Sequence, residues 1–282
     1  MPPVKTVTSI NGRLVRRGQD RISVFDNSLL YAEGLFETFL AIDDRIIFLK
    51  EHLQRLQRGA RVIGLKIPVS SDMLTKWMVM TVRAHPDRIT KLRLTMTSGE
   101  SARWTGVKGK PQVILSASPH QMPRKPFRLY VSEFRVDQDS LFRRIKTLSY
   151  AIHAAALNQA RRMRCDDALL LNENDQIAEV TSANVFWVNK GHIHTPPLSA
   201  GCLEGITRKI VIRQAQKLGY RLTEKNARLD DLVRADEVFI SSSLKLVAPV
   251  SRIRTSRRTW DIKLGPVGER LAQRFIALVR PD

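Results

Sequence analysis

The spacing of hydrophobic positions in the first 118 residues predicts a mixture of strands and helices. Apolar and polar residues alternate around Asn11-Gly12, a dipeptide that favours the tight turn of a β-hairpin. Leu53, Leu56 and Ala60 recur at helical spacing, which predicts a helix with one buried face. The hairpin is predicted at residues 6–15, further strands at 36–41, 45–49, 90–97 and 111–117, and helices at 50–63 and 72–84. This half is therefore predicted to be α+β.

The remaining chain has the same mixed character after a proline-rich, polar stretch at residues 119–126. Such a composition is typical of a linker. It separates a predicted smaller N-terminal α/β domain, residues 1–118, from a larger C-terminal domain, residues 127–282. Strands are predicted there at 127–134, 168–171, 176–181, 184–188 and 237–240, and helices at 149–163, from Thr207 to Gly219, and at about 266–279. The predicted fold class is α/β (α+β) in two domains.

Composition narrows the class of protein. Hydrophobic residues make up 43% of the 282 residues, which is enough for a packed core. The chain has no apolar run long enough to span a bilayer and no signal-peptide core at its start. Cys165 and Cys202 have no CxxC partner, so reduced thiols are expected. We therefore expect a cytoplasmic protein without a membrane partner.

The chain is strongly basic, with 47 Lys and Arg against 27 Asp and Glu, a net charge of +20. Such a charge suggests anionic partners, namely nucleic acid, an anionic membrane or anionic substrates. The basic residues are scattered, however, and no zinc-finger spacing or aromatic RNA-binding motif accompanies them. A basic solvated surface is favoured over specific nucleic-acid binding, while non-specific binding to polyanions stays open.

Two residues in apolar surroundings are candidates for chemistry. Lys146 lies between apolar residues just before a predicted helix, and partial desolvation would lower its pKa and favour a Schiff-base nucleophile. A lysine that extends to solvent is the other interpretation. Glu179 lies in the apolar run 176–187, where a carboxylate needs a cationic or hydrogen-bonding partner. A protonated pyridine nitrogen or a structural salt bridge would satisfy it.

Three further segments carry groups that bind anions. Residues 205–208 open a helix, where free backbone N–H groups and the helix dipole attract an anion; ordinary threonine capping is the alternative. The serines 241–243 follow a predicted strand and offer clustered hydroxyls, or simply a polar loop. Arg55 could reach a phosphate, or be a surface arginine. A lysine, a buried acid, a helix N-terminus and a hydroxyl cluster, in this order, are what pyridoxal 5′-phosphate (PLP) requires.

With these segments in place, the chain resembles the fold-type IV PLP enzymes, the class IV aminotransferase family. The resemblance extends from about Ile10 to Val250. The segments that carry it are Tyr31-Ala32-Glu33-Gly34-Leu35-Phe36-Glu37-Thr38, His52-Leu53-Gln54-Arg55-Leu56, Lys146-Thr147-Leu148, Glu179 through Asn184-Val185-Phe186, and Gly205-Ile206-Thr207-Arg208.

The resemblance implies two α/β domains with PLP between them, usually in a homodimer. It implies that Lys146 binds PLP as a Schiff base and moves the proton at the substrate Cα, while Glu179 pairs with the pyridine nitrogen. Tyr150 would lie near the cofactor. The phosphate would be held by Arg55, Ile206, Thr207, Ser242 and Ser243.

The family contains lyases and transaminases, and the departures from each pattern suggest a choice. Branched-chain aminotransferases typically carry Gly-Ile-Arg where this chain has Thr38-Phe39-Leu40. Those enzymes and D-amino acid aminotransferases often have two small residues where this chain has Leu244-Lys245. The Ser243-Leu244 pair is more similar to 4-amino-4-deoxychorismate lyase, which forms 4-aminobenzoate and pyruvate. The lyase is the expected activity, and a transaminase for D-amino acids, amines or branched-chain L-amino acids, with a 2-oxo acid acceptor, is the alternative.

The substrate is expected to be a small anionic amino compound. Arg103 lies in a loop similar to one where family members place a carboxylate-binding arginine, and Arg93 matches an arginine that branched-chain enzymes use for the α-carboxylate. Surface arginines are the alternative for both. Thr38 is placed with them in the expected substrate pocket. A basic protein that binds nucleic acid or carries PLP without turnover is the competing class, but intact Lys146 and Glu179 favour an enzyme.

The sequence gives no reason to expect a metal. The six histidines are dispersed. His192 and His194 could share one strand face, but two histidines without a third ligand make a poor zinc site. We expect no metal cofactor and no inhibition by a chelator.

Overall fold

The computed structural model describes residues 5–101 and 109–280, and the chain divides into two compact units. The first unit comprises the chain up to Gln121 together with Ile145–Ser149. The second comprises Met122–Arg144 and Tyr150–Arg280. The sequence predicts a continuous second domain at residues 127–282 and does not indicate that Ile145–Ser149 belongs to the first unit. The predicted limits at 118 and 127 stay a prediction.

The first unit is built on a six-stranded sheet in the order β2-β1-β6-β5-β3-β4, with neighbouring strands antiparallel. The long β3–β5 pair runs in unbroken register from Gly34 opposite Thr97 to Ile42 opposite Ile89. The elements of this unit are β1 (Val7–Ile10), β2 (Arg13–Val15), α1 (Asn27–Tyr31), β3 (Gly34–Ile42), β4 (Arg45–Ile46), α2 (Leu49–Val62), α3 (Ser71–Arg83), β5 (Ile89–Thr97) and β6 (Val113–Pro119).

One face of this sheet is apolar and belongs to the core of the unit. Leu35 and Phe39 of β3 and Leu92 and Leu94 of β5 are almost fully buried in the same cluster as the apolar residues of α2 and α3. Side chains alternate between the faces of a strand, so Glu37 must point into this face. The opposite face carries the even-numbered residues of β3.

The second unit is built on a nine-stranded mixed sheet in the order β12-β11-β10-β13-β14-β7-β8-β9, with β15 paired to β14. Its elements are β7 (Phe127–Val136), α4 (Ala151–Arg162), β8 (Asp167–Asn172), β9 (Ile177–Val180), β10 (Asn184–Asn189), β11 (His192–Thr195), α5 (Ile206–Lys217), β12 (Leu222–Glu224), α6 (Leu229–Val233), β13 (Glu237–Ser242), β14 (Leu246–Arg254), β15 (Thr259–Asp261) and α7 (Pro266–Val279).

The centre of this second sheet is buried on both faces. β8 pairs in parallel with β7 and has every residue buried, as a strand covered on both sides requires. α4 packs on β7 and β8, and α5 and α7 pack on β13 and β14. Among the described residues, no helix combines the length and the hydropathy needed to cross a membrane.

Candidate active site

Lys146 lies in a short segment that pairs with the start of β3. Phe36 N–H donates to the Lys146 carbonyl at 2.9 Å, and Leu148 N–H donates to the Gly34 carbonyl at 3.0 Å. A Cβ at position 34 would lie 2.6 Å from Leu148 Cδ1 and from the Met96 carbonyl, so this approach requires glycine. The pairing fixes the backbone of Lys146 on the sheet.

The Phe36 ring lies beside two cations. Lys146 Nζ is 4.3 Å from the ring centroid, and the guanidinium carbon of Arg93 is 3.9 Å from it. Thr38 pairs directly with Arg93 across β3 and β5, so Thr38, Arg93 and Phe36 share the sheet face opposite the core. The structure therefore brings the predicted substrate residues Arg93 and Thr38 together next to the predicted catalytic lysine. The other predicted carboxylate ligand, Arg103, lies outside the described residues.

Arg55 belongs to a buried ionic cluster on the helix side of the same sheet. Its Nε and Nη2 donate to the two carboxylate oxygens of Glu37 at 2.8 and 2.6 Å. His52 Nδ1 lies 2.7 Å from Glu37 Oε2 and must donate to it. Arg55 is 6% exposed, so the surface-arginine interpretation is wrong.

The charges in this cluster follow from the burial and the partners. Burial would raise the pKa of Glu37, but the nearby Arg55 and His52 outweigh it and lower that pKa to about 2. Burial lowers the pKa of His52, although Glu37 opposes this. At neutral pH, Glu37 is thus ionised and His52 is neutral, and the net charge of the cluster is close to zero.

Glu179, on β9 of the second unit, has a cationic partner. It forms a salt bridge with Arg143, and its Oε1 lies 3.2 Å from His153 Nε2. Leu203 N–H donates to Oε2 at 2.9 Å. Burial raises the pKa of Glu179, but the lowering by His153 and Arg143 is larger, so the pKa lies below its ordinary value. Glu179 therefore stays ionised as an acceptor, as a protonated ring nitrogen would require.

Tyr150 precedes α4 and lies beside this acid. Its ring stacks on His153 with the centroids 4.1 Å apart, and its hydroxyl donates to the Thr181 carbonyl at 3.2 Å. Since His153 also contacts Glu179 directly, Tyr150 is connected to the predicted cofactor acid through one intervening side chain. This arrangement agrees with the expected location of Tyr150 near the cofactor, which stays a prediction.

Ile206 and Thr207 form the first turn of α5, as the anion-site hypothesis requires. The N-cap residue is Gly205, which has no side chain that could cap the helix. The Thr207 hydroxyl is buried and has no hydrogen-bond partner among the described residues. Threonine capping is therefore the wrong interpretation, and the first turn has N–H groups that its N-cap residue does not satisfy, beside the unpartnered Thr207 hydroxyl.

The serines at the end of β13 are connected to this helix start through Asn184. Asn184 pairs with Ser241 across β10 and β13, and its amide donates to the Leu203 carbonyl at 2.9 Å. A Cβ on Gly205 would lie 2.0 Å from Asn184 Oδ1, so Asn184 lies directly against the N-cap. Ser241 also has a buried hydroxyl without a partner in the described chain.

This part of the second unit fits a phosphate group. Buried hydroxyls are normally hydrogen-bonded, so the two orphaned groups at Thr207 and Ser241 indicate a missing acceptor. The N-terminus of α5, which has a glycine at the N-cap, favours an anion at the same place. Ser242 is the last residue of β13, and its hydroxyl accepts from Lys245 N–H at 3.1 Å. Ser243 comes directly after the strand.

The comparisons with known proteins identify the family. The model of the family described as amino-transferase class IV matches residues 34–253. The chain belongs to the class IV aminotransferase family. The expectations of a fold-type IV architecture and of a PLP-dependent enzyme are thereby confirmed.

The relatives carry the names of three different activities. A putative branched-chain-amino-acid aminotransferase of Methanocaldococcus jannaschii is 32% identical, with 94% of each chain covered. A D-alanine aminotransferase of Bacillus licheniformis is 30% identical, with 86% of this chain and 87% of the relative covered. An aminodeoxychorismate lyase of Bacillus subtilis is 26% identical, with 86% and 85% covered.

A solved structure is similar over nearly the whole chain. The branched-chain aminotransferase of the thermophilic archaeon Thermoproteus uzoniensis, solved with norvaline, superimposes with a TM-score of 0.86 at 29% identity. The alignment covers 96% of this chain and 93% of that chain.

Several residues of these clusters were not predicted. Glu37 alternates with Leu35 and Phe39, so the reasoning that singled out Glu179 would have found it too. The favoured interpretation of the scattered basic residues as a solvated surface is wrong for Arg143, which forms a salt bridge with the buried Glu179. No group of three His, Cys, Asp or Glu side chains suited to a metal ion occurs in residues 5–101 and 109–280, and the absence of a metal cofactor stays a prediction.

Proposed function

We propose that this enzyme is a transaminase that takes the amino group of an L-amino acid with a short apolar side chain and passes it to a 2-oxo acid. The observation that carries the proposal is that Arg93 and Lys146 both contact one ring, Phe36, at 3.9 and 4.3 Å from its centroid. A carboxylate bound to Arg93 would lie close to the amine of Lys146. The names of the relatives favour transamination over the lyase reaction that the sequence suggested.

PLP supplies an electron sink that stabilises negative charge at the substrate Cα. Lys146 would hold the cofactor through its side-chain amine, and the same amine, next to the substrate Cα, would move the proton at that carbon. Arg93 orients the substrate through its carboxylate with a bidentate fork. The Glu179 carboxylate would accept a hydrogen bond from the protonated ring nitrogen, and its lowered pKa keeps it ionised for this role.

The phosphate of PLP is assigned to two groups of residues. Ile206 and Thr207 offer the N-terminus of α5, and Ser242 and Ser243 offer the end of β13. Arg55 is the further candidate, with a guanidinium whose orientation is fixed by the Glu37 carboxylate.

The test measures both reactions with the same PLP-loaded enzyme. L-Valine, L-leucine, D-alanine and 4-amino-4-deoxychorismate are each offered, and the absorbance change of the cofactor on amino transfer and the fluorescence of 4-aminobenzoate are followed. We expect transfer from the branched L-amino acids and none in Lys146→Ala. Formation of 4-aminobenzoate without any amino transfer would refute the proposal, and preference for D-alanine would overturn the L-specific part.

Arg93 provides the sharper test of the substrate pose. Losing a charge-assisted hydrogen bond costs about 1.5–3 kcal/mol, so kcat/KM should fall roughly ten- to hundredfold in Arg93→Met. Lys91 lies two residues earlier on the same face of β5 and is the matched control. An equal effect of Lys91→Met would mean that general charge, and not a bound carboxylate, explains the loss.

A homodimer is part of the proposal. Val24, Phe25, Leu29, Leu30 and Tyr31 of the first unit are each at least half exposed. Such a cluster of exposed apolar side chains is typical of an interface with another chain. Sedimentation should give twice the chain mass, and Leu29→Lys should shift the protein towards the monomer; a monomeric wild type would contradict the dimer.

A further inference from the structure

A second buried carboxylate lies in the second unit and has no role in the proposed chemistry. Asp167, the first residue of β8, is 1% exposed. It accepts hydrogen bonds from the Thr181 hydroxyl, from the Ser182 hydroxyl at 3.1 Å and from the Ala168 N–H at 2.8 Å. It also forms an ion pair with Lys245, whose side chain is 16% exposed.

Lys245 makes hydrogen bonds with both its side chain and its backbone. Its Nζ contacts Asp167 and donates to the Ser182 hydroxyl at 2.7 Å, and it lies 5.1 Å from the centre of the Phe127 ring. Its backbone N–H donates to the Ser242 hydroxyl at 3.1 Å. The lysine therefore connects the turn between β13 and β14 to the turn between β9 and β10.

These two turns carry different parts of the proposed cofactor site. Ser242 and Ser243 lie where the β13–β14 turn begins and are assigned to the phosphate. Thr181 and Ser182 directly follow β9, the strand of Glu179, which is assigned to the ring nitrogen. The phosphate and the ring nitrogen belong to one small molecule, so only a limited range of spacings between the two turns allows both groups to be bound at once.

A buried ion pair is a costly way to join two turns. Desolvation cancels much of the attraction between the charges, and an apolar pair of similar volume often stabilises a fold as well. An ion pair does, however, fix one geometry, because its hydrogen bonds are directional. A small side chain at position 245 could not reach Asp167, so the connection depends on this chain's lysine.

We propose that Lys245 and Asp167 are positioning residues for PLP, which hold the phosphate-binding turn at a fixed distance from the turn that follows Glu179. The inference rests on the proposed function for the assignment of Ser242, Ser243 and Glu179. Its specific consequence concerns the phosphate. A ligand that lacks the phosphate does not have to span both turns and is indifferent to their spacing.

The test compares the dissociation constants of PLP and of pyridoxal, which lacks the phosphate, for the apoenzyme. In Lys245→Met, we expect the PLP dissociation constant to rise at least tenfold, while that of pyridoxal changes less than twofold. The phosphorus-31 resonance of bound PLP should also shift or broaden. Lys217→Met, which removes an exposed charge at the end of α5, is the matched control and should change neither constant.

Lys245→Met leaves a buried unpaired carboxylate and could fold poorly, so a second variant removes both charges. Asp167→Asn combined with Lys245→Met should restore the thermal stability but keep the selective loss of PLP affinity. Equal losses for PLP and pyridoxal, or unchanged PLP affinity in the double variant, would overturn the positioning role. If the wild type bound neither ligand, the proposed function itself would fail, which is a separate result.

Discussion

Replacing Glu37 by glutamine should destabilise the first unit strongly at neutral pH. Glu37→Gln preserves the shape of the side chain but removes the negative charge that Arg55 and His52 contact at 2.6–2.8 Å. The buried guanidinium of Arg55 would then lose the negative charge that its hydrogen bonds from Nε and Nη2 reach. The loss of stability should be located in β3, which carries Glu37, and in α2, which carries His52 and Arg55.

The magnitude follows from the pKa of Glu37, which falls from 4.5 to about 2 in the folded protein. At roughly 1.36 kcal/mol per pKa unit, the folded state prefers the ionised carboxylate by about 3 kcal/mol. Because the folded pKa is the lower one, this stability is fully present above pH 4.5 and is lost as the pH falls towards 2. The linkage relation leaves about 1 kcal/mol at pH 3.

The assay is urea unfolding of the wild type and Glu37→Gln at pH 7 and pH 3, with amide hydrogen exchange of β3 and α2 to locate the change. Burial also lowers the pKa of His52, so both proteins are compared again in a His52→Asn background to remove that titration. Glu51→Gln, in the first turn of α2, is the control and should cost less than about 1 kcal/mol.

The reasoning would be refuted if the free energies of unfolding of the wild type and Glu37→Gln differed by less than about 1 kcal/mol at pH 7, or if their difference did not shrink at pH 3. Either result would mean that Glu37 is not held as a charged acceptor by Arg55 and His52.

Three further predictions concern the second unit. Gly205→Ala places a Cβ 2.0 Å from Asn184 Oδ1, so it should displace the first turn of α5 and weaken PLP binding at least tenfold in a fluorescence titration; unchanged binding would contradict the phosphate assignment. Glu237 accepts from two N–H groups in the first turn of α7, and Glu237→Gln should cost about 1–2 kcal/mol and speed amide exchange in α7 but not in α3. Burial raises the pKa of the Cys202 thiol to about 12, so iodoacetamide at pH 8 should leave it unmodified in the folded enzyme and alkylate it in urea; rapid native alkylation would show that the site is open.

Elements with clear local signals were predictable from sequence. α7 spans Pro266–Val279, as its apolar spacing indicates, because proline is well suited to the first turn of a helix. α3 ends at Arg83 and begins after the Ser70 cap, whose hydroxyl accepts from Met73 N–H. These boundaries are set by residues within one or two turns of the boundary itself.

Elements that depend on distant contacts were missed or misjudged. β14 escaped prediction because Pro249 interrupts it, yet Pro249 pairs with Phe239 within the sheet. The predicted strand 45–49 is wrong beyond Ile46. Phe48 adopts a left-handed conformation with φ 53° and α2 begins at the next residue.

The candidate site likewise contains residues that the sequence indicates and residues that only the fold reveals. Glu179 could be singled out because an acid in an apolar strand needs a partner, but the partner could not be named, since Arg143 lies 36 positions away in the chain. Lys245 and Asp167 are 78 positions apart, and neither has a local pattern that indicates the other. The sequence pattern identifies a buried charged side chain that needs a partner, but only the fold determines which residue that partner is.

The return of Ile145–Ser149 to the first unit has a consequence for synthesis of the chain. Phe36 N–H and Gly34 O on β3 find their partners in Lys146 and Leu148, more than a hundred residues later. A nascent chain that has emerged only to Gln121 therefore lacks part of its first unit, and a fragment ending there would lack these two hydrogen bonds. The first unit becomes complete on the ribosome only after the beginning of the second has been made.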